Sequence, residues 1–258
     1  AHIQAGELSG NIDGVARHAI ARFAHVHLAS NRDASSRLHR FGEQEERIFE
    51  VGAPQLDDIA NKRYSSREEL ALLPELKPLG PFLLVINHAN TDEWDQAESH
   101  ARELMAALAR FTLPKVLILP NNDAGSKAVR QVLVEERTAE WRLVDNLSRP
   151  HFLGLMASAE AIVGNSSSAL LEAPSFCLPA VNIGNRQGNR VQGANVINCS
   201  YDADEIENAL RIATSPGFRD GLRGMLNPYG DGNSSRKIVD ALDEIESWPS
   251  LRVKNVTS

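Results

Sequence analysis

Short apolar runs recur along this chain, each followed by a stretch with helical periodicity, and no other feature of the sequence constrains the fold as much. The runs are HVHLAS (25–30), IFEVG (48–52), FLLVINH (82–88), KVLILP (115–120), AIVGN (161–165) and PAVNIG (179–184). They read as strands buried on both faces. Helical patterns lie between them: Val15 to Phe23, Ala34 to Phe41 with Gly42 as a C′ stop, Trp94 to Phe111, Lys127 to Val134, and Pro150 to Ala157. Strand–helix alternation of this kind predicts an α/β class with parallel sheets covered by helices. The opening stretch AHIQAGELSG reads as the end of a buried strand running into a polar turn, so the chain is expected to begin inside a folded unit.

The alternation lapses once. From about Asp58 to Gly80 the sequence NKRYSSREELALLPELKPLGP is polar, carries Pro74, Pro78 and Pro81, and holds no strand candidate. It is expected to be a linker, or a short helix plus linker, between two α/β units. The expected organisation is residues 1–62 as the last part of a first unit, 63–80 as linker, 81–235 as a second unit, and 236–258 as a closing helix and tail. At 258 residues the chain suffices for one large core or two modest ones. Its 42% hydrophobic and 24% charged content is that of an ordinary globular protein. No apolar run approaches the ~18 residues of a membrane span, and a net charge of −7 argues against a nucleic-acid surface. Cys177 and Cys199 have no metal-like spacing, and so few cysteines fit a reduced cytoplasm.

The most informative segment is AIVGNSSSALLEAPSFCLPAVNIGNRQGNR (161–190). A strand runs into Gly164, hydroxyl residues follow, and a short helix then carries Glu172. Backbone N–H groups at a helix start lack intrahelical acceptors and favour an anion, and Ser166 and Ser167 would add hydroxyl donors, so a phosphate fits there. Gly164 would let the ligand approach the backbone. Glu172 lies about a turn and a half on, where a carboxylate can take two hydrogen bonds from a diol such as a ribose. The same residues also read as structure, with Ser166 capping the helix and Glu172 solvated. LPNNDAGS (119–126) sets Asn121, Asp123 and Gly125 at a strand's carboxyl end, as a turn or as a ligand loop. NPYGDGNSSRKI (227–238) is rich in turn formers and precedes a helix with Asn233 or Ser234 as N-cap. IDGVARHAI (12–20) spaces Asp13 and Arg17 four apart, which an exposed salt bridge would also explain.

Taken in order, HIQAGELSGNIDGVARHAI, LPNNDAGSK, VGNSSSALLEAPSFCLPAVNIGNRQGNR and NPYGDGNSS resemble UDP-N-acetylglucosamine 2-epimerases, more closely the hydrolysing branch that serves sialic-acid-type sugar synthesis. The similarity runs from Ala1 to about Ile245. The resemblance implies two Rossmann-like units in a GT-B-like architecture with the active site in the cleft, and on that pattern Ala1 falls inside the first unit, whose earlier strands and one catalytic aspartate would be missing. It also implies a UDP-sugar as substrate, no cofactor or metal, a homo-oligomer when full length, and a fragment that binds UDP without turnover.

Roles implied by the resemblance follow the matching residues. Ser166 and Ser167 would hold the diphosphate and Glu172 the ribose, while Asn121 and the backbone of 147–152 would line the nucleotide pocket. Arg186 and Arg190 would face the phosphates, for which a planar guanidinium is suited. Asp13 and Arg17 would face the sugar. The implied chemistry removes the C2 proton while UDP leaves C1, then adds water to the glycal-like intermediate; a positioned base and a stabilised leaving group are both needed. One departure stands out: where many relatives carry Glu in HIEAG, this chain has Gln4, an amide with no exchangeable acid proton near pH 7. Glu7 or Asp13 would then take the acid–base role. His2 and His88, at strand ends, could face the cleft, whereas His25 and His27 read as structural. A nucleotide-sugar-binding module without turnover, and a GT-B glycosyltransferase, are the competing functional classes.

Overall fold

The computed structural model describes residues 1–9, 13–76, 80–245, 251 and 253–255, and for Asp13 the backbone alone. The chain forms two compact units, the first comprising Ala1–Lys62, Gly188–Val191 and Leu226–Ser258, the second Arg63–Gln187 and Gln192–Met225.

The first unit starts with β1 (His2–Ala5), α1 (Asp13–Phe23), β2 (His27–Ala29), α2 (Arg32–Arg40), β3 (Ile48–Glu50) and α3 (Asp57–Ala60). Its three strands are parallel, in the order β1-β2-β3. Asn31 caps α2 by accepting from the Ala34 N–H, and Gly42 follows that helix with φ +78°, as a C′ stop requires. Ala5, Ala21, Ala29 and Ala34 pack with Leu38. Small side chains are needed there because the chain turns sharply at Gly6, where a Cβ would lie 2.3 Å from the Ala34 carbonyl oxygen.

The second unit continues with α4 (Arg67–Leu70), β4 (Leu83–Ile86), α5 (Ala97–Ala109), β5 (Lys115–Ile118), α6 (Ser126–Glu136), β6 (Arg142–Val144), α7 (Arg149–Ser158), β7 (Ala161–Gly164), α8 (Ser168–Leu171), β8 (Ala180–Ile183), β9 (Val196–Cys199), α9 (Ala203–Ala213) and α10 (Pro216–Gly221). Its six strands are all parallel, ordered β6-β5-β4-β7-β8-β9. The four inner strands are the continuous apolar runs, buried along their length save Ile118, and a core of Leu, Val and Ala from the sheet, α5, α6 and α9 covers one side. Both units are α/β with parallel sheets, as the alternation predicts.

Three boundaries differ from the sequence expectation. Residues 63–76 carry the short helix that the sequence allows, α4, which opens with a capping box between Ser66 and Glu69, but they belong to the second unit, where Leu70 and Leu76 are buried. Residues 188–191 and 226–235 belong to the first unit. There α11 (Ser234–Asp243) packs Ala241 against Val26, Leu28 and Val51. Its N-cap residue Asn233 makes no side-chain cap; the Asp57 carboxylate accepts from the Ser234 and Ser235 N–H groups at 2.9 and 2.7 Å instead. The Trp94–Phe111 pattern is also broken: Thr91–Gln96 is a 3₁₀ segment with Glu93 out of helical geometry, and α5 begins at Ala97. Among the described residues no helix is long and apolar enough to cross a membrane.

Candidate functional site

The strand order of the second unit locates the site. Numbered within the unit, the strands run 3-2-1-4-5-6, the order of dinucleotide-binding sheets, so the first and fourth, β4 and β7, lie side by side where the chain reverses direction across the sheet. Ligands of such sheets bind beyond the carboxyl ends of that strand pair. Residues 87–90 follow β4 there, and residues 165–168 follow β7.

Asn165, fully buried, holds these two loops together. Its side-chain oxygen accepts from the His88 N–H at 2.8 Å, and its amide nitrogen donates to the His88 carbonyl at 2.7 Å and to the Tyr201 hydroxyl at 2.9 Å. Its own carbonyl accepts from Gln187 Nε2 (2.9 Å) and Arg186 Nη1 (3.3 Å). One residue thus fixes the β4 loop, the start of α8 and the Arg186 loop. Tyr201 stacks on His100 with centroids 3.8 Å apart, and burial pushes its phenol up to about 12, so it stays protonated. His88 accepts at Nδ1 from the Asn121 N–H (3.2 Å). Burial first, and then the Arg186 charge, lower its pKa to about 4, leaving a neutral imidazole at pH 7. Sequence reading missed the Asn165 hub; an Asn directly after a buried strand's Gly is its only local signal.

Ser166, Ser167, Glu172 and Arg186 all lie in this unit. Ser167 is the N-cap of α8 and makes no side-chain cap, while Ser166 Oγ bonds Ser168 Oγ at 2.7 Å. Ser166 Oγ also accepts from the Ser168 N–H at 3.4 Å, so this serine serves the start of α8 from one residue before its N-cap. Gly164, expected to admit a ligand, meets protein: with φ +131° a Cβ there would sit 2.0 Å from the Ile86 carbonyl oxygen, so glycine serves the close approach of β7 to β4. Glu172, at the end of α8, is buried rather than solvated and lies 3.6 Å from Arg149 Nη1 at the start of α7. Arg186 Nη2 is 3.5 Å from Asp123, and its Nε is buried with no hydrogen bond among the described residues. Asn121 donates to Asp123 at 2.7 Å and accepts from Ser126 Oγ at 3.3 Å. This loop and Arg130 line a cavity of about 410 Å³ at the start of α6. The site is thus a loop cluster with a guanidinium, hydroxyls and exposed amide edges, equipped to take a phosphate-bearing ligand.

Arg190 is parted from Arg186. It lies in the first unit, where its Nη1 is 3.3 Å from Glu7 Oε2 and both side chains are buried. Glu7 Oε1 also accepts from Ser30 Oγ (2.5 Å) and from Gln4 Nε2 (3.2 Å). Tyr229 borders this cluster and donates to the Val191 carbonyl at 2.9 Å. Gln4, Glu7 and Arg190 are therefore one group, a link no spacing in the sequence suggests. Asp13 opens α1, its side chain outside the described residues; Arg17, one turn on, has its Nε buried with no hydrogen bond among the described residues and helps burial to lower the pKa of His2. Among the described residues no cluster of three or more His, Cys, Asp or Glu could hold a metal.

Comparison with known proteins agrees with this architecture. The chain is 34% identical to a Legionella pneumophila UDP-N,N'-diacetylbacillosamine 2-epimerase (hydrolyzing) over 95% of its own length and 64% of that protein's. It is 30% identical to the Neisseria meningitidis UDP-N-acetylglucosamine 2-epimerase over 96% of its length and 65% of the relative's. The chain thus spans slightly less than two thirds of these relatives. The Methanocaldococcus jannaschii UDP-GlcNAc 2-epimerase, solved in complex with UDP-GlcNAc and UDP, shares the fold, with a TM-score of 0.75 at 17% identity over 94% of this chain and 68% of that one. The family model for UDP-N-acetylglucosamine 2-epimerase matches residues 1–243. This chain belongs to the UDP-N-acetylglucosamine 2-epimerase family.

Proposed function

We propose that the protein is a hydrolysing 2-epimerase that converts UDP-N-acetylglucosamine, or a close relative such as a diacetamido sugar nucleotide, into the free manno-type sugar and UDP. The observation that carries the reading is the strand order of the second unit, with Ser166 and Ser167 following β7 beyond the β4–β7 junction and Arg186 donating to the Asn165 carbonyl beside them. In this reading the diphosphate lies at the start of α8, with Arg186 opposing its charge, and Glu172 takes the ribose hydroxyls. Asn121 and the backbone at 147–152 line the base. His88, neutral, is a hydrogen-bonding group beside Arg186 rather than a second cation. The 34% identity to a hydrolysing enzyme supports that branch.

The reaction breaks the C2–H and C1–O bonds. A base takes the C2 proton as the electron pair forms the C1–C2 double bond and UDP leaves with the C1 oxygen. Water then returns hydroxyl to C1 and a proton to the opposite face of C2. Asp13 and Arg17 are assigned to the sugar, Asp13 as acid or base. Glu7 accepts from Gln4, Ser30 and Arg190, an arrangement that suits it to orient its neighbours. Gln4 cannot exchange a proton, and that observation favours a second reading, a module that binds the sugar nucleotide without turning it over. Calorimetry with UDP and UMP tests the pocket common to both. UDP is expected to bind more tightly than UMP, and Arg186→Ala to remove most of the difference; equal affinity for the two would show that no β-phosphate site exists.

A further inference from the structure

Lys254 ends in a cage of oxygen atoms at the carboxyl end of α1, wholly within the first unit. Its ammonium donates to the Ala21 and Ala24 carbonyls, each at 2.8 Å, and to the Arg22 carbonyl at 3.2 Å, and it lies 2.6 Å from Glu43 Oε2. The last carbonyls of a helix have no intrahelical partner, and the helix dipole there favours positive charge. Glu43, its side chain 1% exposed, adds a full negative charge. Burial opposes that charge, but the hydrogen bond from Lys254 and the nearby His27 hold the carboxyl below its ordinary pKa. His27 Nε2 is 2.9 Å from the same oxygen, and burial above all lowers the pKa of that imidazole, so it is neutral at pH 7. Among the described residues, the cations at this carboxylate are therefore Lys254 and Arg22, whose Nη1 is 3.1 Å from Glu43 Oε1.

We propose that this cage is a binding site for a large monovalent cation, potassium or ammonium, whose place the Lys254 side chain takes in this structure. Three backbone carbonyls and a carboxylate are oxygen ligands of the kind that replace the hydration shell of potassium. Their distances from the ammonium, 2.6 to 3.2 Å, are wider than the roughly 2.3–2.6 Å of calcium and the roughly 2.0–2.1 Å of magnesium. One carboxylate, shared with Arg22, also supplies too little charge for a divalent ion. An ammonium on a stem has three N–H donors for four oxygens, whereas a spherical ion has no donor directions to satisfy. Ala21, Arg22 and Glu43 also line an open cavity of about 400 Å³, which gives ions from solvent access to the cage. The segment that carries Lys254 has further anchors. Arg47 donates to the Leu251 and Val253 carbonyls at 3.2 and 2.8 Å, and the Asn255 N–H donates to Gln44 Oε1 at 3.1 Å. Loss of the ammonium therefore empties the cage without freeing the segment, and the proposal is independent of the reaction assigned above.

The test is Lys254→Met, which keeps an apolar stem and removes the charge. Melting temperatures of the variant and the unmodified protein are compared by calorimetry in choline, sodium, potassium and ammonium chloride at equal ionic strength. In choline chloride, whose cation is too large for the cage, the variant is expected to melt roughly 5 °C or more below the unmodified protein, because a buried carboxylate has lost a partner. Potassium or ammonium should restore about 2–3 °C of that loss by occupying the cage, and sodium less. The unmodified protein, its cage filled, should show no such response. Adding Glu43→Gln to Lys254→Met should abolish the gain from potassium. A Lys254→Met protein that potassium and ammonium restore no better than choline, whether it folds or not, would overturn the proposal, as would an equal response in the unmodified protein.

Discussion

Acidification should expose His88 as a stability switch of the second unit. Burial and the neighbouring Arg186 charge lower its pKa to about 4 in the folded protein, against roughly 6.5 for an unperturbed imidazole in the unfolded chain. Between those values the unfolded chain binds a proton that the folded one refuses, so stability falls as pH falls through the window and is fully present above it. The difference of about 2.5 units at ~1.36 kcal/mol each gives a total of roughly 3 kcal/mol, of which about 2 kcal/mol is lost between pH 7 and pH 5. Urea unfolding followed by fluorescence of Trp141, buried in the core of this unit, provides the assay. The control is His88→Asn, whose Oδ1 can take the place of Nδ1 as acceptor for the Asn121 N–H. The other histidines with lowered pKa, His2, His18, His27 and His100, are common to both proteins and cancel. The unmodified protein should lose about 2 kcal/mol more than the variant on going from pH 7 to pH 5. Equal losses would refute the assignment of a neutral, partly buried imidazole at this site. Bound diphosphate would offset the Arg186 charge and should raise the His88 pKa, shifting its NMR titration toward neutrality.

Ser166→Ala should weaken UDP by ~1.5–3 kcal/mol while leaving uridine unchanged, and Glu172→Gln should weaken both, as lost charge-assisted hydrogen bonds would; equal losses of the two ligands in Ser166→Ala would remove phosphate from that serine. Asp57→Ala should destabilise the first unit by about 1–2 kcal/mol in urea, through loss of the two N–H contacts at the start of α11, whereas Asn233→Ala should cost nothing measurable. Gly164→Ala should prevent normal folding of the second unit, read as lost cooperativity in a thermal melt, because the added Cβ would meet the Ile86 carbonyl at 2.0 Å; a stable variant with weakened UDP binding would instead restore the ligand-approach role for that glycine.

In the second unit the strands legible in sequence are those where burial is two-sided; in the first, IFEVG reads as a strand buried on both faces, but β3 is an edge strand and partly exposed. β4, β7 and β8 are buried throughout, and β5 nearly so, and their apolar runs announce them. β6 and β9 are the sheet's two edges and are half-exposed, so Arg142–Val144 and Val196–Cys199 present no such run. The site divides in a similar manner. Ser166, Glu172 and Arg186 stand out because hydroxyl, carboxylate and guanidinium groups near a strand's carboxyl end have a direct chemical reading. Asn165 does not, since an Asn after a Gly reads as a turn until its partners, His88 and Tyr201, are seen around it. The Glu7–Arg190 pair joins residues 183 positions apart, across a chain excursion that no local pattern encodes.

The central claim is most directly tested by incubating the protein, at its natural full length, with UDP-N-acetylglucosamine in deuterated buffer and following the sugar by NMR. Elimination followed by hydration predicts UDP together with free N-acetylmannosamine carrying solvent deuterium at C2, because the C2 proton is surrendered and replaced. Tight binding of the sugar nucleotide with no free sugar released, or release of a sugar that keeps its original C2 proton, would contradict the account.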